Sequence, residues 1–267
     1  MKSNALLLFI ISSCTSYNGR LQYVVKENIF YHEDKSDRHN GEMLIPNGEG
    51  PFPAVIVLHG GGWQSRSFSD STSIAKSLAS HGFVAYNINY RFSPKDKHPA
   101  PIDDLEVALK YLKKNAAAFK VNPDRIGLWG YSSGGHTVSY YALTRAGDKD
   151  LKVKAVVAGG APYDFTWYTR SPYIKAYIGN YRDQAFEKYQ EASPSFRITK
   201  DAPPFFLYHA EKDTLVEHSQ ATSFEARLKM QQIPVERCDI SWWGHATAFA
   251  FSSKPLKHGI EFLKRTL

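Results

Sequence analysis

Cysteine is scarce in this chain, which has two cysteines among 267 residues, Cys14 and Cys238. Two cysteines allow one disulfide at most, so a scaffold held together by several disulfides is excluded. Cys14 follows an apolar run near the N-terminus, whereas Cys238 lies in an apolar, strand-like context. We expect Cys238 to be a buried free thiol with a packing role.

Runs of like charge are also missing. The formal net charge is +7, but lysine and arginine are scattered, and no basic run exceeds two residues. The chain therefore lacks the concentrated basic stripe of a typical nucleic-acid-binding protein, and no nucleic-acid partner is expected. Beyond the N-terminus, no segment approaches the roughly 20 apolar residues that a membrane-spanning helix needs. The length suits one large α/β domain or two small ones.

The N-terminal residues have the pattern of a targeting signal. Lys2 precedes the apolar run Ala5–Ile11, which is too short to span a bilayer but fits the core of a signal peptide. The following Ser12-Ser13-Cys14 completes a stretch that resembles a bacterial lipobox, whose cysteine is acylated and becomes the new N-terminus. We therefore predict a signal peptide of the lipoprotein type at residues 1–13 and a polar tether at residues 14–22.

This signal also predicts where the protein resides. With lipid on Cys14, it would be exported and held at a bacterial membrane, facing the periplasm or the cell exterior, with the lipid as its only membrane contact. The alternatives are an ordinary secretory signal and a short uncleaved hydrophobic start.

Strands and helices alternate through residues 23–267, which we predict to form one catalytic domain. Ala54–Leu58 is a continuous apolar run, typical of a strand that is buried on both faces. Tyr23–Phe30 and Gly41–Ile45 are predicted to pair antiparallel at a sheet edge, and Phe249–Leu267 to form a closing helix. The alternation predicts an α/β fold, with a mostly parallel sheet covered by helices on both faces.

The stretch Gly130–His136 has the Gly-x-Ser-x-Gly pattern centred on Ser132. A buried strand is predicted just before it, at Arg125–Trp129, and a helix just after it, at Thr137–Leu143. Strand, tight turn and helix around this pattern make a nucleophile elbow, in which the serine hydroxyl is raised above the sheet edge on a strained turn. An ordinary Gly/Ser turn is the alternative.

A serine nucleophile needs a base within hydrogen-bond reach and an acid that orients the base. In an open parallel sheet, such residues lie just after the carboxyl ends of strands. Asp213 follows the predicted strand Pro204–Ala210, and His245 follows the predicted strand Val235–Ile240. The resulting chain order of Ser132, Asp213 and His245 is the order found in α/β-hydrolases.

Other residues compete for these roles. Glu211 and Asp164 are rivals for the acid. Among the other histidines, we expect His209 to be a structural residue on a strand, His136 to pack or bond locally, and His218 to be solvated.

Acyl transfer also requires donors for the developing oxyanion. The backbone N–H of Ser133 is one candidate. The glycine-rich turn His59–Trp63 at the end of a strand would supply the others, because glycines let backbone N–H groups approach closely. A tight turn without function is the alternative.

The segment Ala161–Pro203 interrupts the alternation of strands and helices. It contains several aromatic residues and is too long for a bare loop. We predict a small helical insertion over the site.

Together these motifs resemble those of α/β-hydrolase serine esterases of the hormone-sensitive-lipase-like and acetyl- or feruloyl-esterase-like branch. The resemblance covers about Tyr23 to Leu267 and implies Gly61 and Gly62 as oxyanion donors, with His59 shaping their loop. The chain departs from the pattern at Ala210, where glycine is usual. It also has no extensive cap before the core, which argues against long-chain lipid substrates. The motifs that carry the resemblance are His59–Trp63, Tyr90–Pro94, Asn122–Ile126, Gly130–His136, His209–Asp213 and Gly244-His245.

The expected activity is that of a serine carboxylesterase. Its substrates would be small or carbohydrate-linked esters of the acetyl or feruloyl type, cleaved through an acyl-enzyme without a metal or organic cofactor. The alternatives are an arylformamidase and a catalytically silent binding lipoprotein on a hydrolase fold. The oligomeric state is not indicated.

Overall fold

A central sheet organises the chain. Residues 20–251 and 253–267 are described by the computed structural model. The strands, in chain order, are β1 (Tyr23–Lys26), β2 (Gly41–Pro46), β3 (Phe52–Leu58), β4 (Val84–Ile88), β5 (Val121–Tyr131), β6 (Ala155–Gly159), β7 (Phe205–Ala210) and β8 (Val235–Ile240).

Helices connect these strands. They are α1 (Thr72–Ser80), α2 (Ala100–Lys114), α3 (Ser133–Thr144), α4 (Pro172–Ile178), α5 (Phe186–Glu191), α6 (Ser219–Met230), α7 (His245–Phe251) and α8 (Ser253–Thr266).

In the described residues the sheet has eight strands in the order β1-β2-β4-β3-β5-β6-β7-β8. β1 pairs antiparallel with β2, and β2 antiparallel with β4, while the other neighbouring strands are parallel. The predicted mostly parallel sheet with an antiparallel edge is confirmed. β1 is shorter than predicted and ends before Asn28, whose positive φ of 56° is incompatible with a strand.

Two hydrophobic cores lie on the two faces of the sheet. Alternate residues of β3 divide between them, with Ile56 in one core and Val57 in the other, as the two-residue period of a strand requires. Helices α2, α3 and α6 contribute to the first core, and α1 and α8 to the second. Burial on both faces explains why the central strands are continuous apolar runs.

The predicted closing helix is divided into α7 and α8. Pro255 lies in the first turn of α8, where its missing N–H is tolerated. Farther inside a continuous helix, the same proline ring would clash with the carbonyl of residue 251, four positions earlier. The proline therefore favours a new helix start over one uninterrupted helix.

The predicted insertion between β6 and β7 is also confirmed. It contains α4, α5 and short 3₁₀ turns. Tyr177 of α4 is fully buried, and its ring stacks on Trp63 with centroids 4.4 Å apart. The insertion is thus fixed to the turn that follows β3.

The predicted signal peptide and Cys14 lie outside the described residues. Within the predicted tether, the N–H of Leu21 donates to the Ser80 carbonyl, and the Gln22 carbonyl accepts from the N–H of Asn47. The last residues of this segment are therefore bonded to the domain. No helix in the described part of the chain is long and apolar enough to cross a membrane. Cys238 is buried and free, as expected.

Candidate active site

Ser132 occupies the sharp turn between β5 and α3. Its φ of 55° and ψ of −121° are unusual for a residue with a side chain, and such a conformation costs about 1–3 kcal/mol. The N–H of Ser132 donates to the Gly159 carbonyl at 2.8 Å, which fixes the turn against β6. A Cβ at Gly130 would collide with the backbone of Gly134, so strand and helix can pack this closely only with glycine at position 130.

The structure brings Ser132, His245 and Asp213 together. The Ser132 Oγ is 2.9 Å from the His245 Nε2, and the His245 Nδ1 is 2.6 Å from the Asp213 Oδ2. Ser132 follows β5, Asp213 follows β7, and His245 is the first residue of α7 after β8. The three side chains therefore meet at the carboxyl edge of the parallel strands, in the geometry of a nucleophile, base and acid.

Asp213 is held as a carboxylate by its surroundings. Burial raises its pKa, but hydrogen bonds from His209 and His245 and the backbone N–H of Val216 lower it more, so the pKa lies well below the usual range. The N–H groups of Leu215 and Val216 each donate to Oδ1 at 2.9 Å. Oδ2 remains directed at His245, where a negative charge stabilises an imidazolium.

The glycine-rich turn lies opposite this group. Gly61 and Gly62 have φ values of 121° and 62°, which favour glycine, so their backbone follows a path that other residues rarely adopt. The His59 Nδ1–H donates to the Gly60 carbonyl at 2.6 Å, and burial lowers the pKa of His59 to about 4. His59 is thus a neutral structural residue of this turn.

Ser133 is the first residue of α3, so its N–H has no acceptor within the helix. It lines the same cavity as Gly61, Gly62 and Ser132. Free N–H groups and the positive end of the helix dipole at this position suit a negatively charged oxygen.

A cavity of about 720 Å³ opens above the serine. Residues of the insertion form part of its wall, including Tyr168, Tyr173 and Ile174, and Phe249 of α7 also lines it. A volume of this size accommodates a small organic ligand.

The rival residues lie elsewhere or have other contacts. Glu211 is exposed, and the Asp164 Oδ1 accepts hydrogen bonds from Thr166 within its own turn. His209 lies on β7, where its Nε2 donates to the Val216 carbonyl. His136 donates to the Ala192 carbonyl. Of the three candidate acids, Asp213 is the one whose carboxylate bonds to the His245 ring.

Sequence patterns did not reveal two supports of the site. The Tyr90 hydroxyl donates to the His59 carbonyl at 3.0 Å and lies 3.3 Å from the Ser133 Oγ, linking the glycine-rich turn to the elbow. The Trp63 ring packs edge-on against His136. Both contacts join residues far apart in the chain, so no local pattern signals them.

The chain matches a family model and is similar to several known proteins. The BD-FAE family model matches residues 43–228, which is more than half of the chain. Esterase LipC of Mycobacterium tuberculosis is 28% identical over 228 residues, which cover 78% of this chain and 56% of LipC. The chain spans about half the length of the curated mycobacterial relatives that it matches first.

Solved structures show the same fold. A truncated carbohydrate esterase from gut microbiota has a TM-score of 0.83 at 22% identity, covering 94% of this chain and 98% of that one. A bifunctional GH43-CE protein of Bacteroides eggerthii has a TM-score of 0.81 at 29% identity, covering 91% of this chain and 38% of that one. With the α/β-hydrolase fold shared and the family model matched, the chain belongs to the BD-FAE family of α/β-hydrolase esterases.

Proposed function

We propose that the protein is a serine carboxylesterase. The observation that carries the proposal is the continuous hydrogen-bonded series from Ser132 Oγ through His245 to Asp213, with distances of 2.9 and 2.6 Å. The strained turn places the serine at the floor of a cavity. The esterase names of the related proteins support the same reaction class.

In the proposed reaction, the Ser132 Oγ attacks the ester carbonyl while the His245 Nε2 takes the hydroxyl proton. Asp213 holds the Nδ1–H of His245 and stabilises the imidazolium. The same imidazolium then donates its proton to the departing alkoxide, which leaves as an alcohol. Water then attacks the acyl carbonyl while His245 takes a proton from it. The bond to the Ser132 Oγ breaks, the imidazolium returns the proton to that oxygen, and the carboxylic acid is released.

The oxyanion of each tetrahedral intermediate would be bound by the N–H groups of Gly61, Gly62 and Ser133. Such donors are worth about 3–4 kcal/mol each when the site excludes water. Hydrogen bonds from the His59 ring to the Gly60 carbonyl and from the Tyr90 hydroxyl to the His59 carbonyl stabilise the turn that carries the two glycines. The donors are therefore held in place before substrate binds.

For the substrate, we propose small or carbohydrate-linked esters of the acetyl or feruloyl type. The cavity wall contains aromatic rings from the insertion, and Trp242, beside the His245 loop, is 81% exposed. Aromatic rings that also carry a polar group, such as those of tyrosine and tryptophan, suit ligands with both apolar and hydrogen-bonding faces. The carbohydrate-esterase titles of the structural relatives favour the same class.

Labelling with a fluorophosphonate probe tests the proposed chemistry directly. We expect the wild type to be labelled at Ser132 and the Ser132→Ala variant to remain unlabelled. A folded wild type that takes no label would support a silent binding protein instead. A substrate panel of p-nitrophenyl esters, acetylated and feruloylated sugars and N-formylkynurenine then separates an esterase from an arylformamidase, which would prefer the last.

We also propose that the protein is an exported lipoprotein, acylated on Cys14 after cleavage of residues 1–13. The support is Lys2, the short apolar run and the lipobox-like Ile11–Cys14. Wild type should incorporate radiolabelled palmitate and fractionate with membranes, and Cys14→Ser should do neither. If wild type takes no label and is recovered in the soluble fraction, a plain secretory signal replaces this proposal.

A further inference from the structure

A cluster of metal-binding side chains lies in the loop between β1 and β2, outside the cavity. His32, Asp34 and His39 each present one ligand atom, and these atoms all lie within 4.8 Å of one another. The His39 Nδ1 is 2.8 Å from the Asp34 Oδ2, and the His32 Nδ1 is 3.3 Å from the Asp34 Oδ1. None of the three residues lines the active-site cavity.

The His32 Nδ1 and the His39 Nδ1 lie 3.3 and 2.9 Å from the same Asp34 oxygen, Oδ1, close to the separation of neighbouring ligands in a tetrahedral zinc site. With zinc–ligand bonds of about 2.0–2.1 Å, neighbouring ligand atoms in a tetrahedron lie roughly 3.3 Å apart. Two imidazoles with one carboxylate suit zinc better than calcium or magnesium, which prefer oxygen ligands. Half of the His32 and Asp34 side chains is exposed, so water can complete the coordination.

A second observation at His39 points the same way. Its side chain is 7% exposed, and its Nε2 is buried without a hydrogen-bond partner, although the Asp104 Oδ1 lies 3.3 Å away. Histidines that bind a metal through one ring nitrogen usually direct the other toward a carboxylate. Asp104 is itself buried and paired with Arg91 at 2.7 Å, so its position is fixed.

We propose that His32, Asp34 and His39 form a Zn²⁺ site, with water as the fourth ligand and Asp104 behind His39. The role of the ion is structural. The neighbouring Arg38 covers the Phe92 ring at 3.9 Å, and Phe92 packs edge-on against His59. Zinc would thus stabilise the loop that supports the glycine-rich turn, without contacting the reacting atoms.

The test uses full-length, untagged protein that has been stripped of metal with a chelator. Zn²⁺ affinity is measured by competition with a chromogenic chelator, and thermal unfolding is recorded with and without Zn²⁺. The variants are His32→Ala and Asp34→Asn, both at exposed positions. The matched control is His218→Ala, because His218 forms a partly exposed histidine–carboxylate pair with Asp239 at 2.8 Å.

Wild type and His218→Ala should bind one Zn²⁺ and show a higher Tm with it. Each ligand variant should bind Zn²⁺ at least about tenfold more weakly than wild type. Even residues that only hydrogen-bond to a metal ligand typically cost about 10–100-fold in metal affinity when they are replaced. X-ray absorption should show nitrogen ligands at about 2.0–2.1 Å. The proposal is overturned if the ligand variants bind as tightly as wild type, or if Zn²⁺ inhibits turnover stoichiometrically, which would place it on His245. A failure here leaves the esterase proposal untouched, since labelling of Ser132 does not depend on zinc.

Discussion

The Tyr131 hydroxyl donates a hydrogen bond of 2.6 Å to the backbone carbonyl of His245. The two rings lie 5.2 Å apart. Tyr131 is the residue directly before Ser132, so one side chain joins the strand that carries the serine to the loop that carries the histidine. This bond sets the position of the proposed base relative to the nucleophile.

Replacing Tyr131 with phenylalanine should lower kcat about fivefold with little change in KM, because His245 loses a positional restraint worth about 1 kcal/mol. Steady-state kinetics on p-nitrophenyl acetate measure this. Tyr208→Phe is the matched control, since its hydroxyl accepts from Trp129 and its ring stacks beside Tyr131. Equal losses in both variants would point to general loosening of the core.

Asp213→Asn should reduce kcat by about four orders of magnitude, because an amide leaves His245 in the wrong tautomer, by analogy with the serine–histidine–aspartate triad of proteases. Glu211→Gln and Asp164→Asn are the controls, and each should retain most activity in folded protein. A larger loss in either control would assign the acid to that residue.

Two tyrosines of α4 should differ in effect. Tyr177→Ala removes a fully buried ring and should lower the free energy of unfolding by about 3–5 kcal/mol. Tyr173 is 44% exposed and faces the cavity, so Tyr173→Ala should alter KM with little change in stability. Urea unfolding and ester kinetics on both variants separate the effects. Similar unfolding free energies would mean that the insertion is not fixed by the ring of Tyr177.

Two buried histidines, His59 and His136, and the partly buried His98 should make stability depend on pH. Burial lowers the pKa of His59 and His98 to about 4 and that of His136 to about 3. Since an unfolded histidine titrates near 6.5, the unfolded chain binds more protons below that pH. The stability that these neutral histidines contribute is fully present above about pH 6.5 and is lost as the pH falls toward 4.

Urea titrations between pH 4 and 8 should therefore show uptake of up to three protons on unfolding, from the slope of stability against pH. His136→Phe should reduce this uptake by about one. A stability that stays flat across this interval would contradict the lowered pKa of these three histidines.

Trp242→Ala should raise KM for oligosaccharide esters roughly fivefold, because it removes about 1 kcal/mol of aromatic contact, and should leave p-nitrophenyl acetate hydrolysis unchanged. Met230→Ala is the control, since Met230 is similarly exposed but lies on α6. Parallel changes on both substrates would show that Trp242 supports the His245 loop and does not contact sugar.

The sequence predicts those parts of the site that depend on residue type and on the local order of strands and helices. Ser132 stands between a strand and a helix in a glycine-flanked turn, and Asp213 and His245 each follow a strand, so their meeting could be predicted. The hydrogen bond from Tyr131 to His245 could not be predicted. The two residues are 114 positions apart in the chain, and they meet only because the completed sheet brings their two loops together.

The His32, Asp34 and His39 cluster was missed for a related reason. These residues lie in a charged turn with no regular spacing, and such turns are usually solvated. Only the folded loop shows that the ring of His39 is buried and that its second nitrogen faces Asp104. The division of the closing helix was likewise missed, although Pro255 is a local signal that favoured it.

The placement of the site at the ends of separate strands has a kinetic consequence. Ser132 and His245 are 113 residues apart, and Asp213 and His245 are 32 apart, with His245 beyond the last strand. Contacts of such long range form late, since loop closure precedes any gain from them. During refolding, recovery of esterase activity should lag behind recovery of the circular dichroism signal, and a nascent chain on the ribosome would stay inert until His245, beyond its final strand, has been added.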